Sequence, residues 1–252
     1  MSSRPVSAAV GAILLGAALW VGARPIGPVP ALGGFLDPAH GIWALAARAE
    51  HPLRARGAIP TLTDSVDIRY DDRGVPHIFA TNELDALRSL GFVVARDRLF
   101  QLELQTRAAA GTLTELVGAR ALAADRATRR IGMPWGARRK LAAIAPGSIT
   151  MRVLDAYADG VNAYIGQMRA ADLPIEYRLL GKTPQRWVPE NAMLLLVRMG
   201  YTLAWSEFEL ARPRIEARIG RAATDALFPR DAYIQEPIQP NGQRVARVDA
   251  AH

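Results

Sequence analysis

Imidazole is the side chain whose ordinary titration range reaches neutrality, so the histidines are the first residues to weigh as acid–base groups. His40, His51, His77 and His252 are scattered along the chain. Only His77 lies inside a patterned segment, and there it reads as a structural residue that hydrogen-bonds a hairpin. Cysteine is absent, which excludes disulfides and thiol nucleophiles and leaves a zinc site only His, Asp and Glu to use. No G-x-S-x-G elbow, H-E-x-x-H pair or phosphate-cradling Walker loop occurs. Asp125, set among Arg126, Arg129 and Arg130, reads as a structural salt-bridge set rather than an anion site. The other Asp and Glu pairs are ordinary helix-surface neighbours. The residue types alone therefore describe no self-sufficient catalytic site.

The elements that would position any chemistry are mostly helical. Residues 85–118 read as one long helical region, with Leu87, Leu90, Val94, Leu99 and Leu102 at helical spacing. Gly91 interrupts it and predicts a bend or a close helix contact. Arg96, Asp97, Arg98, Glu103 and Arg107 fit either a solvated face with i,i+4 pairing or a partly buried ion-pair network. Residues 65–80 alternate as a β-hairpin around the turn Asp71-Asp72-Arg73-Gly74, with Pro76 needing an edge position or a bulge. Residues 135–144 and 149–168 read as helices, the second strongly amphipathic through Val153, Tyr157, Val161, Tyr164, Ile165 and Met168. Residues 173–187 are loop-rich, anchored by burial of Trp187. Residues 189–203 form a helix apolar on most sides, which predicts burial. A further amphipathic segment at 207–219 must accommodate Pro213, and Gly220 ends it.

The chain has 252 residues and is half hydrophobic, enough for a sizeable core. Its net charge is +7, carried almost wholly by arginine, with Lys140 and Lys182 as the lysines. The arginines read as spread along the chain, an Arg-rich and Ala-rich composition with no anionic partner implied, neither nucleic acid nor an anionic membrane. Residues 1–23 read as a signal peptide or a signal anchor. Arg4 precedes an uncharged apolar run at 8–23 that is somewhat short of the ~20 residues a bilayer span wants. Either reading delivers the chain outside the cytoplasm, to the periplasm or beyond, with anchoring by residues 8–23 as the membrane-bound form. Residues 24–62 form a Pro/Gly-rich linker holding one short helix near 40–49. The main domain spans 63–240, its end at 228–240 extended, and 241–252 read as a disordered tail.

Five stretches, in order, carry a resemblance. They are D-R-G-V-P-H-I at 72–78, A-R-D-R-L-F-Q-L-E-L-Q-T-R with A-G-T-L-T-E-L-V-G at 95–118, A-Y-A-D-G-V-N-A-Y-I at 156–165, P-I-E-Y-R-L-L-G-K-T-P-Q-R-W at 174–187 and E-L-A-R at 209–212. Together, over about residues 65–240, the chain resembles the α-subunit, N-terminal region of the penicillin acylase family of N-terminal nucleophile hydrolases. The resemblance implies an α+β fold, the mainly helical α-subunit part of an αββα sandwich with an N-terminal β-hairpin. It implies a precursor that cleaves itself, and a β-subunit whose N-terminal Ser attacks an acyl amide with its own α-amine as base. The oxyanion donors would lie on that β chain too. From this chain it implies a substrate-binding wall at Met199 and Leu203 and one calcium ligand at Glu209. Thr202 falls where some members carry a substrate-contacting Arg, which opens acyl amides other than penicillins. Tyr201 and Trp205 could add aromatic surface or pack in the core. Within the family the alternatives are an N-acyl-homoserine lactone or a cephalosporin acylase; outside it, a truncated, membrane-tethered remnant without catalysis.

Overall fold

Asn82 begins the longest element: its side-chain oxygen accepts the amide hydrogen of Asp85, and Glu83 and Asp85 favour the positive end of the helix. The computed structural model describes residues 3–25, 27, 31–37, 41–48, 58–169, 172–204 and 206–229, the side chains of 3–5, 7, 48 and 206–209 excepted. In order the elements are α1 (Ser3–Gly22), α2 (Gly33–Leu36), α3 (Ile42–Arg48), β1 (Asp67–Tyr70), β2 (Pro76–Phe79), α4 (Glu83–Ala110), α5 (Thr114–Val117), α6 (Leu122–Ile131), α7 (Met133–Ala142), α8 (Ile149–Gln167), α9 (Ile175–Leu180), α10 (Pro189–Leu203), α11 (Ser206–Ile219) and α12 (Arg221–Leu227). A mainly helical chain with an N-terminal hairpin is thus what forms. It divides into two compact units, 1–200 and 201–252.

In the first unit α4 packs along α8, and glycine makes this possible. A Cβ on Gly91 would stand 2.2 Å from the Tyr157 carbonyl oxygen, and one on Gly160 would stand 1.8 Å from that of Arg88. Gly91 is therefore a close contact and not a bend; the kink falls at Arg98, with φ −143° and ψ 26°. The buried stripe of α4 follows this crossing through Val93, Ala95 and Leu99, while Leu90 is exposed. On α8 likewise the small residues Ala156, Ala158 and Gly160 are buried beside Val161, and Tyr157 and Tyr164 flank them half-buried. The long region stops earlier than its sequence suggests: Gly111 takes φ +66° and caps α4, so α5 is a separate turn.

Two apolar clusters fill this unit. One joins Ala95, Leu99, Ala158, Val161, Tyr177 and Trp187; the other joins Ala109, Ala137, Met193 and Leu194. Trp187 is buried as expected, and Asn162 holds its backbone from both sides, Asn162 Nδ2 to the Trp187 carbonyl at 2.9 Å and Trp187 N to Asn162 Oδ1 at 2.8 Å. The 173–187 segment is less irregular than expected, since α9 forms within it and ends at Gly181 with φ +61°. The hairpin pairs Asp67 with Phe79 and Arg69 with His77, antiparallel. Pro76 opens β2 in a sheet of two strands, where both are edges. His77 Nε2 lies 3.5 Å from the turn carboxylate of Asp71, a structural placement.

Asp125 differs from its sequence reading. It is buried and accepts the backbone amides of Leu113 and Thr114, both at 2.8 Å, so it caps the entry to α5 instead of pairing chiefly with arginines. Burial works to raise its pKa, but the Thr114 and Leu113 hydrogen bonds outweigh that and lower it. α1 is exposed along its described side chains, and among the described residues no helix is long and apolar enough to cross a membrane. In the second unit α11 runs through Pro213, and Gly220 at φ +80° starts α12. Arg212 is buried there, donating to Asp225 and to the Phe228 carbonyl. The expected extended segment and tail lie almost entirely outside the described residues, which end at 229.

Candidate functional site

The residues that the resemblance assigns to substrate lie on α10 and just after it. Pro189 and Glu190 occupy its first turn, and the Val188 amide donates to Asn191 Oδ1 at 3.2 Å, which fixes the start. One side of the helix buries Met193 and Leu194. The other side is not buried, contrary to the expectation from its composition. Leu196, Met199 and Leu203 remain 53%, 59% and 69% exposed. Their steps of three and four place them in one apolar line along the helix. Met199 and Leu203 thus lie on one side of the helix. Thr202 is exposed between them, and Tyr201 is 39% exposed, so it does not pack in a core.

Glu209 lies in α11, but its side chain, like all of Trp205, falls outside the described residues. Among the described residues no three of His, Asp and Glu gather closely enough to hold a metal ion. Calcium takes about six to eight oxygen ligands, so one carboxylate from this chain does not make the site by itself.

A second constellation is one that the sequence left open between two readings. Glu103 and Arg107, 7% and 9% exposed, pair inside α4 with Arg107 Nε to Glu103 Oε1 at 2.7 Å. The other carboxylate oxygen of Glu103 accepts the Tyr177 hydroxyl at 2.6 Å and the Gln185 amide at 3.2 Å. Arg107 also reaches Glu115 at 2.9 Å. Burial works to lower the Arg107 pKa, and its hydrogen bonds to Glu103 and Glu115 outweigh that and raise it; burial and the Glu103 bond both push the Tyr177 hydroxyl up. So Arg107 stays charged, Tyr177 stays a donor, and neither is poised to move a proton. Glu103, Arg107 and Gln185 border a cavity of about 210 Å³ with Leu99, Trp187 and Asn191. Of the two readings open for the α4 charges, the buried network holds for Glu103 and Arg107, while Asp97 and Arg98 are exposed. The only signal was a Glu–Arg pair four residues apart, which a solvated helix shows equally. What α10 offers is exposed apolar surface.

Comparison with known proteins sets this geometry in context. The family model described as penicillin amidase matches residues 65–243. The chain is 43% identical over 199 residues to the penicillin acylase 2 proenzyme of Pseudomonas sp. (strain SE83), covering 79% of this chain and 25% of that one. It is 34% identical over 158 residues to the penicillin G acylase of Escherichia coli, covering 62% and 17%. Acyl-homoserine lactone acylase QuiP of Pseudomonas syringae pv. tomato is 34% identical over 183 residues, covering 71% and 22%. The chain thus spans a quarter or less of the length of these relatives. Among solved structures, a thermostable penicillin G acylase from Alcaligenes faecalis matches with TM-score 0.54 and 27% identity, over 73% of this chain and 98% of the solved one. A family model spanning most of the chain, five ordered motifs and a shared fold agree: this chain belongs to the penicillin amidase family, hydrolases that act on amides.

Proposed function

We propose that this chain is the α part of an exported, self-processing acylase, and that the outer face of α10 holds the acyl group of an amide substrate. The observation that carries this is the uncovered line Leu196, Met199 and Leu203. An acyl chain or a β-subunit laid on it would each remove apolar area from water, worth about 1.5–3 kcal/mol per fully covered Leu or Met side chain. The match to 98% of the solved Alcaligenes faecalis chain supports this reading.

The chemistry itself falls to the partner. A β-chain N-terminal Ser would attack the amide carbonyl, its α-amine taking the proton and returning it to the leaving amine. This chain supplies binding and orientation and no covalent step. Glu209 would give one carboxylate oxygen to a structural calcium completed by the β chain. Residues 1–23 would direct export as a signal peptide, or remain as a membrane anchor.

A second reading concerns the substrate. Thr202 stands where some members carry Arg, and relatives at about a third identity act on acyl-homoserine lactones by name. An apolar line about two helical turns long suits an aliphatic acyl chain of such an amide.

The test is to express the complete reading frame containing this chain and assay the processed protein on N-acyl amides of graded acyl length, including an acyl-homoserine lactone. Hydrolysis that rises with acyl length supports the proposal. A correctly processed two-chain protein inert on every one of them would sink it.

A further inference from the structure

The basic charge of the folded chain is concentrated, contrary to its even appearance in the sequence. Residues 119–140 hold seven basic side chains and one acidic one, a net of +6 against +7 for the whole chain. This stretch folds as a single 3₁₀ turn followed by α6 and α7, and all seven basic side chains are exposed. The one acid, Asp125, is buried and turned toward the backbone amides of Leu113 and Thr114. Arg138 has Glu190 at 3.7 Å, and Arg129 donates to the Gly111 carbonyl at 2.8 Å. Among the described residues, Arg120, Arg126, Arg130, Arg139 and Lys140 have no carboxylate within ion-pair distance.

Large apolar residues stand among these cations. Leu122, Ile131 and Trp135 are all exposed. On α6 Leu122, Arg126 and Arg130 follow at steps of four, so they share one side. On α7 the Arg139 guanidinium lies 5.8 Å from the Trp135 ring centroid, so the indole and the cation point the same way. An exposed face that alternates arginine with aliphatic and indole side chains matches one kind of surface well. Headgroup phosphates pair with the cations, and the boundary above the acyl chains takes up the apolar groups. Nucleic acid would use the same cations but would give Leu122 and Ile131 nothing to bury against.

We infer that α6 and α7 form an interfacial surface that docks on an anionic phospholipid bilayer. It shares no residue with the acyl-binding face of α10, so it stands or falls apart from the acylase reading.

The full chain is tested by flotation with phosphatidylcholine vesicles, with and without phosphatidylglycerol. The apolar α1 can bind both, so the quantity read is the preference for the anionic vesicles. That preference is expected to exceed about tenfold at low salt and to fall as salt rises. Changing Arg126, Arg130, Arg139 and Lys140 together to Gln abolishes it and leaves binding to neutral vesicles unchanged. Changing the three arginines to Lys instead keeps it, because the charge is retained. The inference is overturned if there is no anionic preference, if the preference survives the Gln changes, or if the Lys version loses it as well. It is equally overturned if duplex DNA at matched phosphate displaces the chain from the vesicles, or if the processed two-chain protein loses the preference because its other chain covers this face.

Discussion

Glu103 sits inside α4 with both carboxylate oxygens bonded, whereas Met199 sits on α10 with more than half of its surface in water. The first region is complete within this chain. Its partners come from α9 and from the segment ahead of α10, 74 and 82 residues along the sequence. The second region is apolar and, among the described residues, exposed. A buried charge survives only where every partner is present, so the Glu103 network marks the part of the fold that this chain builds alone. An exposed apolar line has the opposite meaning and marks where the fold expects more protein or substrate. Stability should therefore depend on the first region and function on the second.

The largest effect should come from Glu103→Ala. It leaves Arg107 buried with only Glu115 and strips the Tyr177 hydroxyl of its acceptor. Removing one member of such a buried pair costs about 3–5 kcal/mol, read as a lower midpoint in urea unfolding. A loss as small as that of a surface change would mean the network is not part of the self-contained core. Gly160→Ala comes next. A Cβ there meets the Arg88 carbonyl oxygen at 1.8 Å, so α4 and α8 must separate, at a cost of about 1–3 kcal/mol or more. Thermal unfolding of the purified chain checks it.

Asp85 provides a pH handle on the same region. It is fully buried and accepts hydrogen bonds from the Thr63 hydroxyl and amide, the Asp64 amide and Asn82, with Arg88 at 2.8 Å. Burial works to raise its pKa, but the Thr63, Asn82 and Asp64 bonds outweigh it and hold it well below the usual carboxylate range. A depressed folded pKa adds stability at pH values above the unfolded pKa and loses it as pH falls through the folded one. The melting-temperature gap between the wild type and Asp85→Asn should be full at pH 7 and begin to close below about pH 4. A gap that stays constant to pH 2 would show that the ionised form carries none of it.

How much of this the sequence revealed follows from the range of each interaction. The hairpin and α8 rest on local alternation and spacing, and both are where the pattern places them. Trp187 is buried as its bulk suggests. Glu103 was ambiguous because its deciding partners, Tyr177 and Gln185, are remote in sequence. Asp125 misled for a related reason: its partners are backbone amides, which composition does not display. The exposure of α10 was misjudged because an apolar helix predicts a cover without saying which chain provides it. The basic concentration at 119–140 was present in the sequence, but alanines and a buried aspartate dilute it until the fold turns the cations outward.

The smallest effect on stability, and the one that separates the two regions, should come from Met199→Ser and Leu203→Ser. Both side chains are exposed, so the stability of this chain should shift by less than about 0.5 kcal/mol. If the α10 face holds the acyl group as proposed, the same changes in the processed acylase should lower kcat/KM for long acyl amides about tenfold or more, with short acyl amides less affected. That split between stability and rate is the opposite of what Glu103→Ala should give. If the serine variants instead destabilise this chain by as much as a core substitution, the α10 face is already covered in solution. Sedimentation of the wild type and the serine variants then identifies the cover: a wild-type dimer that the serine changes dissociate would mean that a second copy, and not substrate, occupies Leu196, Met199 and Leu203.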